Sequence, residues 1–122
     1  MAILLVLAGM VYLAGGTKTA VQTVDVPRAY QAYTNGAFLL DVRTQEEWNK
    51  IHIPNATLIP LDELPSRLQE IPHDKQIIVV CHSGNRSKLG ANILREAGFT
   101  RVSSMAGGMN AWEQAGYPTT GK

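Results

Sequence analysis

The chain has 122 residues, of which 45% are hydrophobic and 17% charged, and its formal net charge is +1. This length and composition predict one globular domain with its own core, and the near-neutral charge gives a nucleic-acid partner no electrostatic support. A single cysteine excludes an internal disulfide and the usual zinc sites, and the three histidines are not spaced as metal ligands. We therefore expect neither a metal nor a cofactor.

The start of the chain differs in kind from the rest. Residues 2–16 carry no charged side chain, and Lys18 is the first cation. The length of this run suits the apolar region of a signal peptide and is short for a membrane span, which needs about 17–25 residues. We interpret residues 1–18 as a signal peptide or a membrane anchor, with a buried first strand as the alternative, and residues 19–122 as the domain. This interpretation predicts a membrane-associated or exported protein that contacts the membrane only through residues 2–16.

Short β-rich runs alternate with helical patterns after this segment. Asp25 is expected to cap a first helix, and residues 38–40 are typical of a buried strand. Thr44 and Glu47 form a capping box that predicts the start of a second helix. Residues 57–59, which are flanked by prolines, are predicted to be the next strand.

The second half of the chain continues this alternation. Its predicted elements are a helix opened by Asp62, a strand at 76–80, a helix at 87–97, a strand at 102–105 and a helix at 109–114. Within the 87–97 helix, the side chains expected to face inward are Leu89, Ile93, Leu94 and Ala97. Residues 76–80 (QIIVV) form a β-branched run typical of the centre of a sheet. The pattern predicts a three-layer α/β domain, with a central parallel sheet covered by helices on both faces.

Cys81 occupies the most informative position in the sequence. It follows the central strand directly and precedes a helix, at the sheet edge where ligands of open α/β folds bind. The loop 81–86 can curl so that successive N–H groups point at the sulfur, and Gly84 relaxes the φ restriction on such a curl. Amides, the helix N-terminus and Arg86 would then stabilise a thiolate without a separate base. A lone cysteine is more often a small buried hydrophobe, but this loop favours a nucleophile.

Four sequence blocks resemble those of rhodanese-homology domains. The loop CHSGNRS, residues 81–87, is similar to the active-site loop of that family. LLDVRTQEEW, HIPNATLIP and AGGMNAWEQAGYP resemble its other blocks, in the same order, over about residues 24–118. The chain departs from the family pattern at Ile51 and Asn55, where glycine is frequent.

The resemblance implies sulfurtransferase chemistry, of the thiosulfate sulfurtransferase type. A sulfane sulfur would pass from thiosulfate or a thiol persulfide to Cys81, and a thiol or cyanide would take it away. By position, Cys81 matches the catalytic cysteine. The residues that match the sulfur-binding loop are His82, Ser83, Gly84, Asn85 and Arg86, with Ser87 beside them. Asp41 matches an aspartate of the family and is expected to orient either Arg43 or Arg86.

Two other functions are weighed against this one. A sulfur-relay or binding module would hand a persulfide to a protein partner and have little activity on thiosulfate; Arg86 is the loop's single fixed positive charge, which fits a persulfide donor. A cysteine phosphatase or arsenate reductase shares a loop of this kind but places one more residue between the cysteine and the arginine. Four residues separate Cys81 from Arg86, which makes a smaller cradle suited to one sulfur atom.

Overall fold

A computed structural model gives the fold of residues 21–121. The strands are β1 (Thr23–Val24), β2 (Phe38–Asp41), β3 (Thr57–Leu58), β4 (Ile77–Val80) and β5 (Val102–Met105). The α-helices are α1 (Val26–Thr34), α2 (Gln45–Lys50), α3 (Asn85–Glu96) and α4 (Gly108–Gln114). Two short 3₁₀ helices, Leu61–Ser66 and Leu68–Glu70, lie between β3 and β4. The predicted alternation of strands and helices is confirmed, and the short edge strand β1 is an addition to it.

All five strands pair in parallel, in the order β1-β5-β4-β2-β3. Strand β4 lies at the centre, and its four residues are buried. In the pairing register, Asp41 at the end of β2 lies beside Val80, and Ser104 of β5 lies beside Val79. The carboxyl ends of β2, β4 and β5 therefore meet at one edge of the sheet, where the chain continues into Cys81.

Helices cover both faces of the sheet, as the three-layer prediction requires. A first core lies under α3 and the 3₁₀ helices and includes Val79, Cys81 and Leu94. A second core lies under α1 and α4 and includes Ile78 and Trp112. Alternate residues of β4 point to opposite faces, so the sulfur of Cys81 belongs to the α3 side of the sheet.

The inward face of α3 differs from the prediction. Leu94 is buried and Ile93 half-buried, whereas Ala97 is exposed and Leu89 is 59% exposed. A Cβ on Gly90 would lie 3.2 Å from Val79 Cγ1 and 3.3 Å from Val42 Cγ1, so the helix approaches the sheet along its smallest residue. This approach places Ser87, Gly90, Ala91 and Leu94 inward and turns Leu89 to solvent.

The helix predicted to begin at Asp62 is instead a pair of 3₁₀ turns. Pro65 has no N–H to donate to Leu61, so the i to i−4 bonding of an α-helix cannot run through the segment. Shorter bonds replace it: Arg67 N–H donates to Leu64 O at 3.0 Å, and Ile71 N–H donates to Leu68 O at 3.1 Å. Leu64 and Ile71 nevertheless reach the first core.

The expectation of a membrane-associated or exported protein is corrected by the structure. No helix within residues 21–121 has the length and apolar character needed to cross a membrane. The run 2–16, on which that expectation rested, lies outside the described residues. Residues 1–18, which were assigned as a signal peptide or anchor, also lie outside them.

Candidate active site

The loop after β4 wraps its backbone around the sulfur of Cys81. Cys81 is 1% exposed, and the Gly84 N–H donates to its Sγ at 3.1 Å. Gly84 has a φ of +111°, and a Cβ there would lie 3.3 Å from Gly107 N. A side chain at this position would therefore be both strained and crowded. The predicted curl of the loop around the sulfur is present, and glycine is what permits it.

The N-terminus of α4 fixes the other side of the same loop. The Met109 N–H donates to Cys81 O at 2.8 Å, and the Asn110 N–H donates to His82 O at 3.1 Å. The loop carbonyls are thereby turned toward α4, which leaves loop N–H groups free to face the sulfur. Gly108 packs so closely that a Cβ on it would overlap the carbonyl groups of Cys81 and His82.

Two buried serines continue the site behind the sulfur. Ser87 Oγ lies 3.5 Å from Cys81 Sγ and donates to Gly84 O at 3.0 Å. The Oγ atoms of Ser87 and Ser104 are 2.7 Å apart. Ser87 was among the residues assigned to the loop, whereas Ser104 comes from β5 and was not. The sulfur thus contacts the Ser87 hydroxyl as well as backbone amides, and Ser87 is in turn hydrogen-bonded to Ser104.

These contacts set the acidity of the thiol. Burial raises the pKa of Cys81, but its hydrogen bond with the Ser87 side chain and those from the amides of Ser87, Gly84 and Ser83 outweigh it. The pKa of Cys81 is therefore lowered from its ordinary value. A larger share of the protein carries a thiolate at neutral pH than for an unperturbed cysteine, and the thiolate is the nucleophilic form.

Arg86 is held by a carboxylate on α2. Its NH1 donates to Glu47 Oε1 and its NH2 to Glu47 Oε2, each at 2.8 Å. Glu47 also completes the predicted capping box, because the Thr44 N–H donates to its Oε1 at 3.0 Å. Hydrogen bonds with Glu47 chiefly raise the pKa of Arg86, and the charges of Cys81 and Asp41 add to that effect. The guanidinium is thus within electrostatic range of the sulfur while its charge is largely balanced by Glu47.

The ion pair between Glu47 and Arg86 is expected to contribute to the unfolding free energy in a way that depends on pH in the acid range. The Arg86 hydrogen bonds lower the pKa of Glu47 from 4.5 to about 2. A carboxyl group whose pKa is lower in the folded than in the unfolded protein stabilises the fold at pH values above its unfolded pKa. This stabilisation is lost as the pH falls through its folded pKa. From pH 5 to pH 2, we expect wild type to lose about 1–2 kcal/mol more unfolding free energy than Glu47→Gln, after discounting for solvent screening.

Urea unfolding at a series of pH values measures this difference. Glu46→Gln is the matched control, because Glu46 is exposed in the same helix turn and should leave the wild-type pH slope in place. Parallel pH profiles for wild type and Glu47→Gln would contradict the assigned strength of the Glu47–Arg86 pair.

Asp41 binds Arg43, which selects one of the two partners left open by the sequence. Arg43 NH2 donates to Asp41 Oδ2 at 2.7 Å, and Arg43 Nε donates to Asp41 Oδ1 at 2.9 Å. Both side chains are buried, and Arg43 NH2 also donates to Ile51 O at 2.8 Å. This pair braces the chain between β2 and α2 and so supports the position of Glu47.

A cleft of about 240 Å³ adjoins the loop at His82. Its lining residues are Arg43, Glu47, Lys50, Ile51, His82 and Glu113. The side chains of His82, Ser83 and Asn85, which were assigned to sulfur binding, are exposed at the loop surface. Within residues 21–121 no cluster of three or more His, Cys, Asp and Glu side chains could hold a metal ion.

A cysteine in an amide-lined loop at the carboxyl edge of a parallel sheet defines a class of α/β proteins that use a cysteine thiolate. Within that class, the chain belongs to the family of rhodanese-like domains, whose family model matches residues 25–115. It is similar to a sulfurtransferase of Allochromatium vinosum, 37% identical over 87 residues that cover 71% of this chain and 81% of that protein.

Two further similarities agree with this family. A Bacillus subtilis protein named as a sulfur carrier, YrkF, is 40% identical over 74 residues; the match covers 61% of this chain and only 40% of YrkF. A rhodanese-related protein from Thermoplasma volcanium superposes with a TM-score of 0.76 at 28% identity, covering 81% of this chain and 97% of that one. The predicted family and three-layer fold are confirmed.

Proposed function

We propose that this chain is a sulfurtransferase that carries a sulfane sulfur as a persulfide on Cys81. The thiolate attacks the outer sulfur of thiosulfate or of a thiol persulfide; the donor S–S bond breaks, and sulfite or a thiolate leaves with the electron pair. A thiol or cyanide then attacks the terminal sulfur, and the Cys81 thiolate is released. Support comes from the family, whose relatives include proteins named sulfurtransferase and sulfur carrier.

The observation that carries the proposal is the direction of the loop amides. The Gly84 N–H lies 3.1 Å from Sγ, and the pKa of the thiol is lowered despite its burial. Amide donors that favour a thiolate also favour the negatively charged terminal sulfur of a persulfide, which is bonded to Sγ about 2 Å further out. With four residues between Cys81 and Arg86, the loop holds a single sulfur better than a tetrahedral oxyanion.

The balanced charge of Arg86 favours one class of donor. Glu47 accepts hydrogen bonds from both terminal nitrogens of the Arg86 guanidinium. Because the guanidinium charge is balanced in this way, the loop offers little net positive charge to doubly charged thiosulfate. A thiol persulfide, free or on a protein, needs less of that attraction. We therefore propose that a persulfide donor is used more efficiently than thiosulfate, and that the acceptor is a small thiol or a protein thiol.

Mass spectrometry of the intact protein tests the proposal. Exposure to thiosulfate or to glutathione persulfide should add one sulfur atom, and a following excess of a small thiol should remove it. Protein alkylated with iodoacetamide beforehand is the control and should gain nothing. Absence of the sulfur adduct with both donors would contradict the proposed function, and equal rates with both would contradict the donor preference.

Replacement of Arg86 by alanine is expected to slow transfer. The change removes a positive charge near the sulfur and leaves the Glu47 carboxylate unpaired, so both the thiolate and an anionic donor are disfavoured. We expect a loss of about ten- to a hundredfold in kcat/KM for thiosulfate, which corresponds to one charge-assisted contact.

Arg67 offers a matched control, because it is also an arginine paired with acidic side chains, in its case Glu63 and Glu70, and it lies between the two 3₁₀ helices. Arg67→Ala should leave kcat/KM unchanged. If the Arg86 and Arg67 variants had the same kinetics, Arg86 would have no part in the reaction.

A further inference from the structure

The Ser104 hydroxyl is buried behind the reactive sulfur without touching it. Ser104 is fully buried in β5, and its Oγ lies 2.7 Å from Ser87 Oγ. Among residues 21–121 this is the only hydrogen bond of the Ser104 side chain. Ser87, in contrast, has three polar neighbours: Ser104 Oγ, Gly84 O at 3.0 Å and Cys81 Sγ at 3.5 Å.

Counting protons fixes the direction of the serine–serine hydrogen bond. A hydroxyl donates one proton and accepts two, so Ser87 can give its proton to only one of its three neighbours. If Ser87 donated to Ser104, the proton of Ser104 would be buried without an acceptor, which is unfavourable. If Ser104 donates to Ser87, both protons are used, and the Ser87 proton remains available for Gly84 O or for the sulfur.

The protonation state of Cys81 decides between those two acceptors. A thiol can donate to Ser87 Oγ, and Ser87 then donates to Gly84 O. A thiolate has no proton and attracts donors, so the Ser87 proton turns from Gly84 O toward Sγ. Ser104 keeps donating to Ser87 Oγ in both states, and a hydroxyl that accepts a hydrogen bond is itself a stronger donor.

We propose that Ser104 is a positioning residue, which donates to Ser87 Oγ and thereby strengthens the hydrogen bond that Ser87 donates to the Cys81 thiolate. It acts through Ser87 and contacts neither the sulfur nor the donor. This inference rests on the proposed function only in taking Cys81 as the reactive group. A single buried hydroxyl on the neighbouring strand thus favours the thiolate form of Cys81.

The charged groups around Cys81 are independent of this hydroxyl chain. They are Arg86 of α3 with its partner Glu47 of α2, Asp41 of β2 with its partner Arg43, His82 in the loop, and Lys50 of α2 and Glu113 of α4 in the adjoining cleft. Strand β5 contributes no ionisable side chain, because its sequence is VSSM. A substitution at Ser104 therefore leaves every charge near the sulfur in place.

The pH dependence of Cys81 alkylation by iodoacetamide tests the proposal. The rate rises with the thiolate fraction, and its midpoint reports the acidity of the thiol. For Ser104→Ala we expect the midpoint to move to higher pH and the rate below it to fall about two- to fourfold. Ser104→Thr keeps the hydroxyl and should restore the wild-type midpoint.

Ser103→Ala is the matched control, since it removes the neighbouring hydroxyl on the same strand. Ser103 pairs with Ile78 and faces the second core, away from Cys81, so its loss should leave the midpoint unchanged. In a Ser87→Ala background, Ser104→Ala should add no further shift, because the path to the sulfur is gone.

Two outcomes would overturn the role of Ser104: the same midpoint in Ser104→Ala and Ser103→Ala, or a shift that persists without the Ser87 hydroxyl. Thermal unfolding of each variant shows that the comparison is made on folded protein. Alkylation needs no sulfur donor, so this experiment stands apart from the persulfide assay. A shifted midpoint with no persulfide adduct would reject the proposed sulfur transfer and keep Ser104 as a positioning residue.

Discussion

Cys81→Ser is expected to abolish both the sulfur adduct and turnover, while the fold is retained. The chain contains no other thiol, and a serine hydroxyl is not ionised at neutral pH and forms no persulfide. Serine is close to cysteine in size, and the Gly84 N–H that now donates to Sγ at 3.1 Å can donate to Oγ instead. Intact mass after incubation with donor, and turnover with a thiol acceptor, measure the loss.

This substitution also separates the two interpretations of a buried cysteine. If Cys81 were only a small apolar side chain of the first core, Cys81→Ala would cost stability and Cys81→Ser would cost more. If it is the nucleophile, both variants lose all transfer, whatever their stability. Thermal unfolding beside the mass measurement distinguishes these cases, and sulfur transfer that survives in Cys81→Ser would refute the assignment.

The sequence predicted those parts of the site that depend on local patterns. The β-branched run before Cys81 placed the cysteine at the end of a central strand, and Gly84 indicated the curl of the loop. The capping box of Thr44 and Glu47 is likewise a local signal, since its partners are three residues apart. Each of these features is determined by neighbours along the chain, so no knowledge of the sheet order was required.

The parts that escaped prediction depend on which strands lie side by side. Glu47 reaches Arg86 across 39 residues, and Ser104 reaches Ser87 across 17. Glu47 was identified only as a capping residue, because its second role requires α2 to lie beside the loop. Ser104 gave no signal, since a serine in a strand is unremarkable until the register places it beside Val79, under α3. Leu89 was misplaced for a related reason, because the close approach at Gly90 sets the rotation of α3.

Gly108→Ala is expected to impair both stability and sulfur transfer. Gly108 has a φ of +58°, in the left-handed region, and a Cβ there would overlap the carbonyl groups of Cys81 and His82. These are backbone atoms, which cannot rotate aside as a side chain would. Either α4 withdraws and loses the Met109 N–H bond to Cys81 O, now 2.8 Å, or the loop moves and Gly84 N–H leaves the sulfur. We expect a loss of about 2–4 kcal/mol in unfolding free energy.

Gly116→Ala separates the overlap from the strain of a left-handed backbone. Gly116 has a φ of +79°, but no heavy atom outside its neighbours lies within 4 Å of the added Cβ. This control should cost only about 1–2 kcal/mol and should leave the alkylation midpoint of Cys81 where it is. Gly108→Ala should lower the free energy of unfolding in urea by more than this. It should also move the alkylation midpoint to higher pH and reduce the sulfur adduct, because the α4 hydrogen bonds that turn the loop carbonyls away from the sulfur are lost. Equal effects of the two variants on stability and on the midpoint would mean that α4 does not hold the loop in its thiolate-binding form.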